Sequence, residues 1–303
     1  MRDIVFWVEG YFYSPNLLQK IISFLLLPLS YIYCFVMFLR YKLTKEVDFG
    51  IDIVSVGNLS VGGSGKTPLV TALAKNYSDV AIILRGYGRK SKGLVVVSDA
   101  KEVLCKVEQS GDEAMIYALK VPKAIVIVSE DRVVGIKKAK EMGAKLILLD
   151  DAYSKHNIKK LDLLIDVDTK NQNCLPSGAF RERLWTQKKA VVLKEGRDFK
   201  RVVKLLDKSD KMSLITAIAR ASRLDDFLPQ VVSKNYFKDH HSFTKDEVVD
   251  ILKRDNSESA LVTFKDYVKL KDFGIKISLL DLDLEVDERV FKTVEEYIDA
   301  KKD

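Results

Sequence analysis

The sequence contains little cysteine, histidine, glycine or proline, and these shortages exclude several classes of protein. Its 303 residues include 3 cysteines, 3 histidines, 15 glycines and 6 prolines. So little glycine and proline excludes a collagen-like chain, and 47% hydrophobic residues exclude an intrinsically disordered one. Cys34, Cys105 and Cys174 are far apart and have neither metal-ligand nor disulfide spacing. We therefore expect unpaired thiols in a reducing compartment.

Basic side chains outnumber acidic ones, with 50 lysines and arginines against 43 aspartates and glutamates and a formal charge of +7. This excess favours an acidic partner, which can be a nucleic acid, a phosphorylated ligand or an anionic membrane. The sequence has no motif of basic and aromatic residues of the kind that reads nucleic acid. We therefore expect no nucleic-acid partner.

The N-terminal part of the chain contains a run of nineteen residues without a charged side chain, Ile21 to Leu39. This is about the minimum length for a membrane span, but Pro28 interrupts it and predicts two short helices. Three basic residues suited to anionic headgroups follow directly: Arg40, Lys42 and Lys45. We expect residues 1–46 to form a peripheral or monotopic membrane anchor, while a single span and a buried core helix remain open.

After the apolar segment, short β-branched runs alternate with helical stretches. Six buried strands are predicted at Ile51–Val56, Val80–Leu84, Ala124–Val128, Leu146–Leu149, Leu163–Val167 and Ala190–Leu193. Helices are predicted between several of them at Thr67–Lys75, Asp112–Leu119 and Val133–Glu141. This alternation is typical of an α/β fold with a mostly parallel sheet flanked by helices, which we assign to residues 47–208.

A second and smaller group of elements follows at residues 209–303, where we expect another α/β lobe. Strands are predicted at Leu214–Ile218, Ala260–Thr263 and Ile275–Leu279. Helices are predicted at Lys245–Leu252 and from Asp287 onward.

The strongest functional motif is a phosphate-binding loop at residues 60–67, between a predicted strand and a predicted helix. Its glycines allow backbone N–H groups to point at phosphate oxygens. Lys66 neutralises phosphate charge, and the Thr67 hydroxyl can bind Mg²⁺. Ser60 stands where the strict pattern has its first glycine. The expected nucleotide contacts are Ser60, Val61, Gly62, Gly63, Ser64, Gly65, Lys66 and Thr67.

Two carboxylates, Asp150 and Asp151, follow the hydrophobic strand Leu146–Leu149. A parallel strand that ends in acid places these groups at the carboxyl edge of the sheet, where the phosphate loop also lies. One of them can hold the Mg²⁺ that bridges the β- and γ-phosphates of a nucleotide. The sequence therefore predicts Thr67, Asp150 and Asp151 as the magnesium-binding residues.

Several further motifs extend between about residues 50 and 270 in a characteristic order. They are Val56–Pro68, Arg85-Gly86-Tyr87, Gly111-Asp112-Glu113, Asp131-Arg132, Leu149-Asp150-Asp151, Leu175–Gly178 with Arg181-Glu182, Asp239-His240, and Thr263–Asp266 with Lys269-Leu270. In this order and spacing the chain resembles the lipid A tetraacyldisaccharide 4′-kinases of Gram-negative bacteria. The resemblance implies a P-loop lipid kinase with an N-terminal membrane-associated helix, a nucleotide-binding core at residues 47–208 and a smaller lobe at residues 209–303 that closes over the active site.

The reaction that this resemblance implies is transfer of the γ-phosphate of ATP, with Mg²⁺, to the 4′-hydroxyl of a membrane-embedded tetraacyldisaccharide 1-phosphate. It implies that Asp112 lies near the nucleophilic hydroxyl with His240 as its partner. Arg132 and Arg181 would stabilise phosphate charge beside Lys66, and Glu182 would be a polar partner in the same cleft. Such an enzyme is expected at the cytoplasmic face of the inner membrane, without an obligate protein partner.

The chain departs from this family at two places. The family sequence Asp-Asp-Gly-Phe-Gln-His is Asp-Asp-Ala-Tyr-Ser-Lys at residues 150–155, so proximity alone gives His156 no catalytic role. A family turn that contains glycine reads Ala-Ile-Ala-Arg at residues 217–220. The alternative function is a P-loop GTPase or metallochaperone-type switch, but its base-reading Asn-Lys-x-Asp motif does not occur in the sequence.

Overall fold

A computed structural model describes residues 2–62, 64–218 and 221–300 of the chain. Gly63 of the predicted phosphate loop lies outside these residues. Ala219 and Arg220 also lie outside these residues, and they are the last two residues of the stretch 217–220 in which the sequence differs from the family turn. The predictions made for these three residues are therefore not tested by the fold.

Three helices form the N-terminal segment: α1 (Arg2–Tyr13), α2 (Leu17–Leu25) and α3 (Leu27–Leu43). The predicted interruption is confirmed, because α2 and α3 meet at Leu26 with a bend of 58° and Pro28 lies in the first turn of α3. Proline has no N–H group to donate and clashes with the carbonyl one turn earlier, so a single straight helix cannot form.

Large apolar side chains cover the outer faces of α2 and α3. Those exposed to solvent are Leu17, Leu18, Ile21, Phe24, Leu25, Leu29, Tyr31, Ile32, Phe35, Val36, Leu39 and Leu43. Within the described ranges no single helix is both long and apolar enough to cross a membrane. The bent pair of α2 and α3 reaches that length and composition only when the two helices are taken together.

Seven strands form the first sheet, in the spatial order β3-β4-β2-β5-β1-β6-β7. They are β1 (Asp52–Gly57), β2 (Val80–Leu84), β3 (Val95–Asp99), β4 (Ile125–Val128), β5 (Leu146–Asp150), β6 (Leu161–Ile165) and β7 (Val191–Leu193). All pairings are parallel except the pairing of β3 with β4. The predicted α/β fold is confirmed, and the edge strand β3 is an element that the sequence did not predict.

Helices on both faces bury the first sheet. They are α4 (Lys66–Lys75), α5 (Val107–Ser110), α6 (Asp112–Lys120) and α7 (Arg132–Glu141). The central strands are buried on both faces: Ile53, Ile82 and Leu148 have no exposed surface. Each such side chain contributes about 1.5–3 kcal/mol through burial, which makes the strand ends a rigid platform.

Five strands form the second sheet, in the order β10-β9-β11-β12-β8. They are β8 (Phe199–Leu206), β9 (Met212–Thr216), β10 (Ser233–Tyr236), β11 (Ser259–Thr263) and β12 (Ile277–Val286). The helices of this part are α8 (Lys245–Arg254), α9 (Phe264–Leu270) and α10 (Glu288–Asp299). The pairing of β8 with β12 is antiparallel, and the other pairings are parallel.

Elements on both sides of residue 208 connect the two sheets. β8 precedes that residue but pairs with β12 over eight positions of the second sheet. Conversely, Val290 and Val294 of the last helix are buried in the hydrophobic core of the first sheet. The predicted division into residues 1–46, 47–208 and 209–303 stays a prediction. Although β8 precedes residue 208, it belongs to the same sheet as the strands of residues 209–303.

The expectation of three unpaired thiols is wrong for two of the cysteines. Cys34 on α3 forms a disulfide with Cys174, which is 140 positions later in the sequence, whereas Cys105 is free. Spacing along the chain could not reveal this pair, because α3 and the segment that carries Cys174 come together only through the packing of the N-terminal helices.

Candidate active site at the edge of the first sheet

The phosphate loop lies between β1 and α4, as predicted. Gly65 has the left-handed conformation, with φ of 86°, directly before the first residue of α4. A residue with a Cβ would be strained in this conformation, which explains the glycine. The Lys66 Nζ atom lies 3.0 Å from Asn58 Oδ1 and 3.4 Å from Ser64 Oγ, so the ammonium group stays within the loop.

A segment at residues 174–182 joins the phosphate loop to the N-terminal helices. Val61 donates its N–H to the carbonyl of Ala179 at 2.9 Å, and Arg181 donates its N–H to the carbonyl of Leu59 at 2.9 Å. On its other side, the Tyr33 hydroxyl of α3 donates to the carbonyl of Arg181 at 2.9 Å. The loop is therefore held by the same segment that contacts the apolar helices.

Arg181 and Asp151 meet beside the phosphate loop. The Arg181 guanidinium forms an ion pair with Asp151 and lies 3.2 Å from Asn58 Oδ1. Lys66 Nζ is 3.5 Å from the same Asp151 oxygen. Burial raises the pKa of Asp151, but the charges of Lys66 and Arg181 outweigh it and hold the pKa below its ordinary value. Asp151 is therefore an ionised carboxylate that orders two cations.

Asp150 is buried at the end of β5, opposite Val56 of β1. Its Oδ2 atom accepts a hydrogen bond of 2.8 Å from the Tyr117 hydroxyl of α6. Its Oδ1 atom is buried and has no hydrogen-bond partner among the described residues. Burial, with a smaller contribution from the charge of Glu113, raises the pKa of Asp150 to about 7 although Lys66 acts against it. The site therefore contains a buried carboxylate with a free oxygen.

Arg132 lies beneath the edge of the sheet rather than in the open cleft. Its guanidinium donates to the carbonyls of Ser129 and Asp150, at 2.7 Å and 3.1 Å. Burial lowers its pKa, partly offset by Asp150 and Asp151. Its described contacts connect the ends of β4 and β5, so contact with a phosphate group stays a prediction for this residue.

Asp112 and His240 come together from the two parts of the chain. Asp112 begins α6, whereas His240 lies in the loop that follows β10, and His240 Nδ1 is 3.2 Å from Asp112 Oδ2. Burial raises the pKa of Asp112, but the hydrogen bond with His240 and the charges of Lys269 and Lys265 together bring it below its ordinary value. Asp112 is therefore a carboxylate that can accept a hydrogen bond from a hydroxyl group.

Two lysines of α9 surround this pair. Lys265 Nζ lies 2.8 Å from Asp239 Oδ1 and 3.4 Å from His240 Nε2. Lys269 Nζ lies 3.7 Å from Asp112 Oδ2.

The sequence did not predict these two lysines as site residues, although both belong to the family motif. Their spacing of four residues, which puts two side chains on the same face of a helix, is the signal that could have placed both near the carboxylate. Asn58 and Tyr117 were also missed, and a tyrosine inside a helix carries no such signal.

A cleft of about 290 Å³ lies between the phosphate loop and the second sheet. One side is formed by Gly65, Thr67 and Glu113, and Lys265 reaches it from α9. The opposite wall is apolar and is formed by Val203, Ile218, Leu224, Leu280 and Leu282. A smaller pocket of about 170 Å³ shares no lining residue with this cleft and is lined by Tyr33, Met37, Arg40, Asn58, Asp151, Tyr153, Ser154, Arg181 and Glu182.

The predicted site residues thus divide among three places. The phosphate loop, Asp150 and Asp151 lie at the sheet edge, and the pair of Asp112 and His240 lies beside the larger cleft, to which it is linked through Lys265. Arg181 and Glu182 line the smaller pocket on the side of α3. Their individual roles in a reaction stay predictions.

Known proteins resemble this chain over almost its whole length. The family model described as tetraacyldisaccharide-1-P 4′-kinase matches residues 22–216 and 194–300. A tetraacyldisaccharide 4′-kinase from Aliarcobacter butzleri is 46% identical, with 99% of each chain covered. Another from Campylobacter jejuni is 45% identical, with 98% of this chain and 97% of that protein covered.

A solved structure has the same fold. It is the crystal structure of LpxK from Aquifex aeolicus in complex with ATP, which is 26% identical to this chain with a TM-score of 0.71. The match covers 91% of this chain and 99% of that one. By the family model and by relatives that match almost end to end, the chain belongs to the tetraacyldisaccharide 4′-kinase family.

Proposed function

We propose that this protein transfers the γ-phosphate of ATP to the 4′-hydroxyl group of a tetraacyldisaccharide 1-phosphate, a step of lipid A biosynthesis. The observation that carries the proposal is the position of the phosphate loop and of the Asp112–His240 pair beside one cleft. A kinase needs a cradle for the nucleotide phosphates and a group that orients the attacking hydroxyl. The switch function is not supported, because the relatives are kinases over their full length.

ATP would occupy the larger cleft with its phosphates on the loop. Backbone N–H groups of the loop and the start of α4 attract negative charge. The apolar wall that includes Val203, Leu280 and Leu282 suits the flat face of a nucleotide base. Lys66 lies between Gly65 and Thr67, which both line this cleft, and would approach the β- and γ-phosphates there.

Asp112 would accept a hydrogen bond from the 4′-hydroxyl group and orient it toward the γ-phosphate. Its low pKa keeps it ionised, and His240 holds its Oδ2 atom at 3.2 Å. Transfer of a phosphoryl group depends mainly on position and charge, so an oriented carboxylate is suited to this task even when it is a weak base. Lys265 and Lys269 add positive charge on the same side.

The residues at the sheet edge fit Mg²⁺. The buried Oδ1 atom of Asp150 has no hydrogen-bond partner among the described residues, as expected for a metal ligand. No cluster of three or more histidine, cysteine or acidic side chains in the described ranges could hold a metal alone. That agrees with Mg²⁺, which takes one or two carboxylates and completes its shell with phosphates and water. Bound by Asp150 and Thr67, it would neutralise charge on the β- and γ-phosphates.

The apolar helices would place the enzyme on the membrane that contains its substrate. Phe24 and Tyr31 are each 70% exposed, and Arg40 and Lys42 end α3 with positive charge. An apolar face with basic residues at its end favours the interface of an anionic leaflet. We propose peripheral or monotopic attachment at the cytoplasmic face of the inner membrane, where the acyl chains hold the disaccharide.

The test is a transfer assay with γ-labelled nucleotide in detergent micelles. We expect label in the lipid when ATP and tetraacyldisaccharide 1-phosphate are both present, and little turnover without the lipid. Faster turnover with GTP and no labelled lipid would contradict the kinase proposal and favour the switch function.

A further inference from the structure

We propose that His156 and Lys188 position the Glu182 carboxylate to accept a hydrogen bond from the sugar part of the acceptor lipid. The inference rests on the proposed function, since it concerns how the acceptor is held. It assigns a role to His156, to which the sequence pattern gave none. His156 and Lys188 act through Glu182 and are positioning residues.

These three residues form a buried chain of contacts that starts from Asp162 on β6. Lys188 Nζ is 3.2 Å from Asp162 Oδ2 and 2.9 Å from His156 Nδ1. On the other side of the ring, His156 Nε2 is 3.8 Å from Glu182 Oε2. His156 and Glu182 are only 6% and 5% exposed, so water screens this contact weakly.

The contacts of Lys188 determine which ring nitrogen of His156 carries the proton. A lysine ammonium group can only donate hydrogen bonds, and Lys188 also donates to the carbonyl of Tyr153 at 2.9 Å. His156 Nδ1 is therefore the acceptor, and in the neutral ring the proton is on Nε2. That N–H group faces Glu182 Oε2, so the ring presents a donor to the carboxylate.

Packing fixes the plane of the His156 ring. Tyr41 of α3 contacts it edge-on with ring centres 5.2 Å apart, and Tyr153 does so at 6.0 Å. A ring held on two sides and hydrogen-bonded at Nδ1 cannot turn away from Glu182. The imidazole therefore fixes one side of the carboxylate.

Glu182 still lacks a hydrogen bond that a buried carboxylate requires. Its Oε2 atom is buried without a hydrogen-bond partner in the described part of the chain, and the distance of 3.8 Å to His156 is too long for one. Buried polar atoms without partners are rare in folded proteins and indicate a missing ligand or water. Because Oε2 faces His156 and Glu182 also lines the smaller pocket, we assign the remaining hydrogen-bonding capacity of the carboxylate to a donor of the acceptor.

The chemistry of the pocket favours a sugar. Asn58, Tyr33 and Arg181 provide polar groups around Glu182, and the pocket opens beside α3, which carries the apolar face. A hydroxyl or amide N–H of a glucosamine unit can donate to Glu182 while its acyl chains follow α3 into the lipid. The pocket shares no lining residue with the larger cleft, so Glu182 should affect the lipid more than the nucleotide.

Steady-state kinetics on the full-length protein in detergent micelles test this inference. Lipid is varied at saturating ATP, and ATP is varied at saturating lipid, for H156F, H156Q, K188M and the double variant H156F/K188M. H156Q keeps a donor toward Glu182 and an acceptor toward Lys188. H241Q is the matched control, because His241 contacts Glu247 outside this chain of residues. Thermal unfolding is recorded for every variant.

We expect H156F and K188M each to raise the lipid KM about tenfold, because a Glu182 carboxylate that is no longer held in place loses its hydrogen bond from the acceptor. The ATP KM should stay within about twofold, and H156Q should recover most of the loss. The double variant should be no worse than either single variant, because both act through Glu182. If H156F does not fold, K188M and H156Q provide the same comparison.

Three results would overturn the inference while the proposed function stands. They are an unchanged lipid KM in H156F or K188M, an equal rise in both KM values, and H156Q as defective as H156F at unchanged thermal stability. A wild-type protein that transfers no phosphate to the lipid overturns the proposed function itself and the inference with it.

Discussion

His240 Nδ1 lies 3.2 Å from Asp112 Oδ2, although the two residues are 128 positions apart in the sequence. Asp112 begins α6, one of the helices that flank the first sheet, and His240 follows β10, a strand of the second sheet. The catalytic pair that we propose therefore exists only when the two sheets are correctly placed. Movement of one sheet relative to the other would separate the pair and reduce ATP hydrolysis without acceptor.

Replacement of His240 tests this pair. We expect His240→Ala to lower kcat about 100-fold or more, the usual contribution of a positioned acid–base group, with little change in the ATP KM. Rates at saturating lipid and nucleotide, with nucleotide binding measured separately, check the prediction. His241→Ala is the control, since His241 pairs with Glu247 on α8. An unchanged kcat would remove His240 from the site.

The pH dependence of activity should change in the same variant. Interactions with His240 and two lysines hold the pKa of Asp112 below its ordinary value against the effect of burial, so Asp112 stays ionised in moderate acid. Without His240 less interaction opposes the effect of burial, so the pKa of Asp112 should rise. The acidic limb of kcat/KM should therefore move to higher pH. An acidic limb at the same pH in both proteins would contradict the assignment.

The free energy of unfolding should show the same charge effect. Because the pKa of Asp112 is lowered in the folded state, its contribution to stability is present above the pKa of the unfolded chain. That contribution is lost as the pH falls through the folded-state pKa. Urea unfolding should therefore find wild type more stable than Asp112→Asn at neutral pH and the difference smaller in acid. A constant difference would argue against an ionised, stabilising Asp112.

Lys66 is the central cation of the phosphate loop. We expect Lys66→Ala to reduce turnover about 1000-fold, because its charge faces the phosphates where negative charge develops. The matched control is Lys138→Ala on α7, where the lysine pairs only with Glu141 among its described partners. The labelled-phosphate assay compares the three proteins. Near-normal transfer by Lys66→Ala would refute the assignment of the loop.

Asp150 should determine the magnesium requirement. Wild-type activity should disappear with a chelator and return with added Mg²⁺. Asp150→Asn keeps the hydrogen bond with Tyr117 possible but removes the charge, so we expect it to need about tenfold more Mg²⁺ or to remain inactive. A magnesium titration of activity is the measurement. The same half-saturating concentration in both proteins would exclude Asp150 as a ligand.

Membrane attachment can be tested without deleting the N-terminal helices, which also hold the segment with Arg181. Ile21→Glu with Phe24→Glu places charge on the exposed face of α2. We expect most of this double variant to remain in solution when it is sedimented with vesicles of anionic phospholipid. The control is Val134→Glu with Val232→Glu, two exposed apolar positions elsewhere. Equal sedimentation of both variants would place the anchor outside α2.

Features that depend on neighbouring residues could be read from the sequence. The loop around Lys66 and the acidic end of β5 are local patterns, and buried parallel strands such as Leu146–Asp150 are continuous apolar runs. The strand β8 was missed because its burial is partial, so it does not form such a run. The edge strand β3 is short and antiparallel, and it also lacked a clear pattern.

Features that depend on packing between distant segments could not be read from the sequence. The Cys34–Cys174 disulfide and the pairing of Lys188 with His156 each require the N-terminal helices or distant loops to be in place. For Arg132 the motif predicts contact with phosphate, which stays a prediction, and only the fold shows that two of its nitrogens donate to the carbonyls of Ser129 and Asp150. A motif identifies the residue type and leaves the direction of the side chain undetermined.

The most direct test of the central claim is the position of the transferred phosphate. Tetraacyldisaccharide 1-phosphate is incubated with ATP, Mg²⁺ and the protein, and the purified lipid is analysed by ³¹P and ¹H nuclear magnetic resonance. We predict a second phosphomonoester signal coupled to the proton at the 4′ position, and none when Lys66→Ala replaces wild type. A lipid that keeps only its 1-phosphate, with inorganic phosphate released from ATP, would contradict the account.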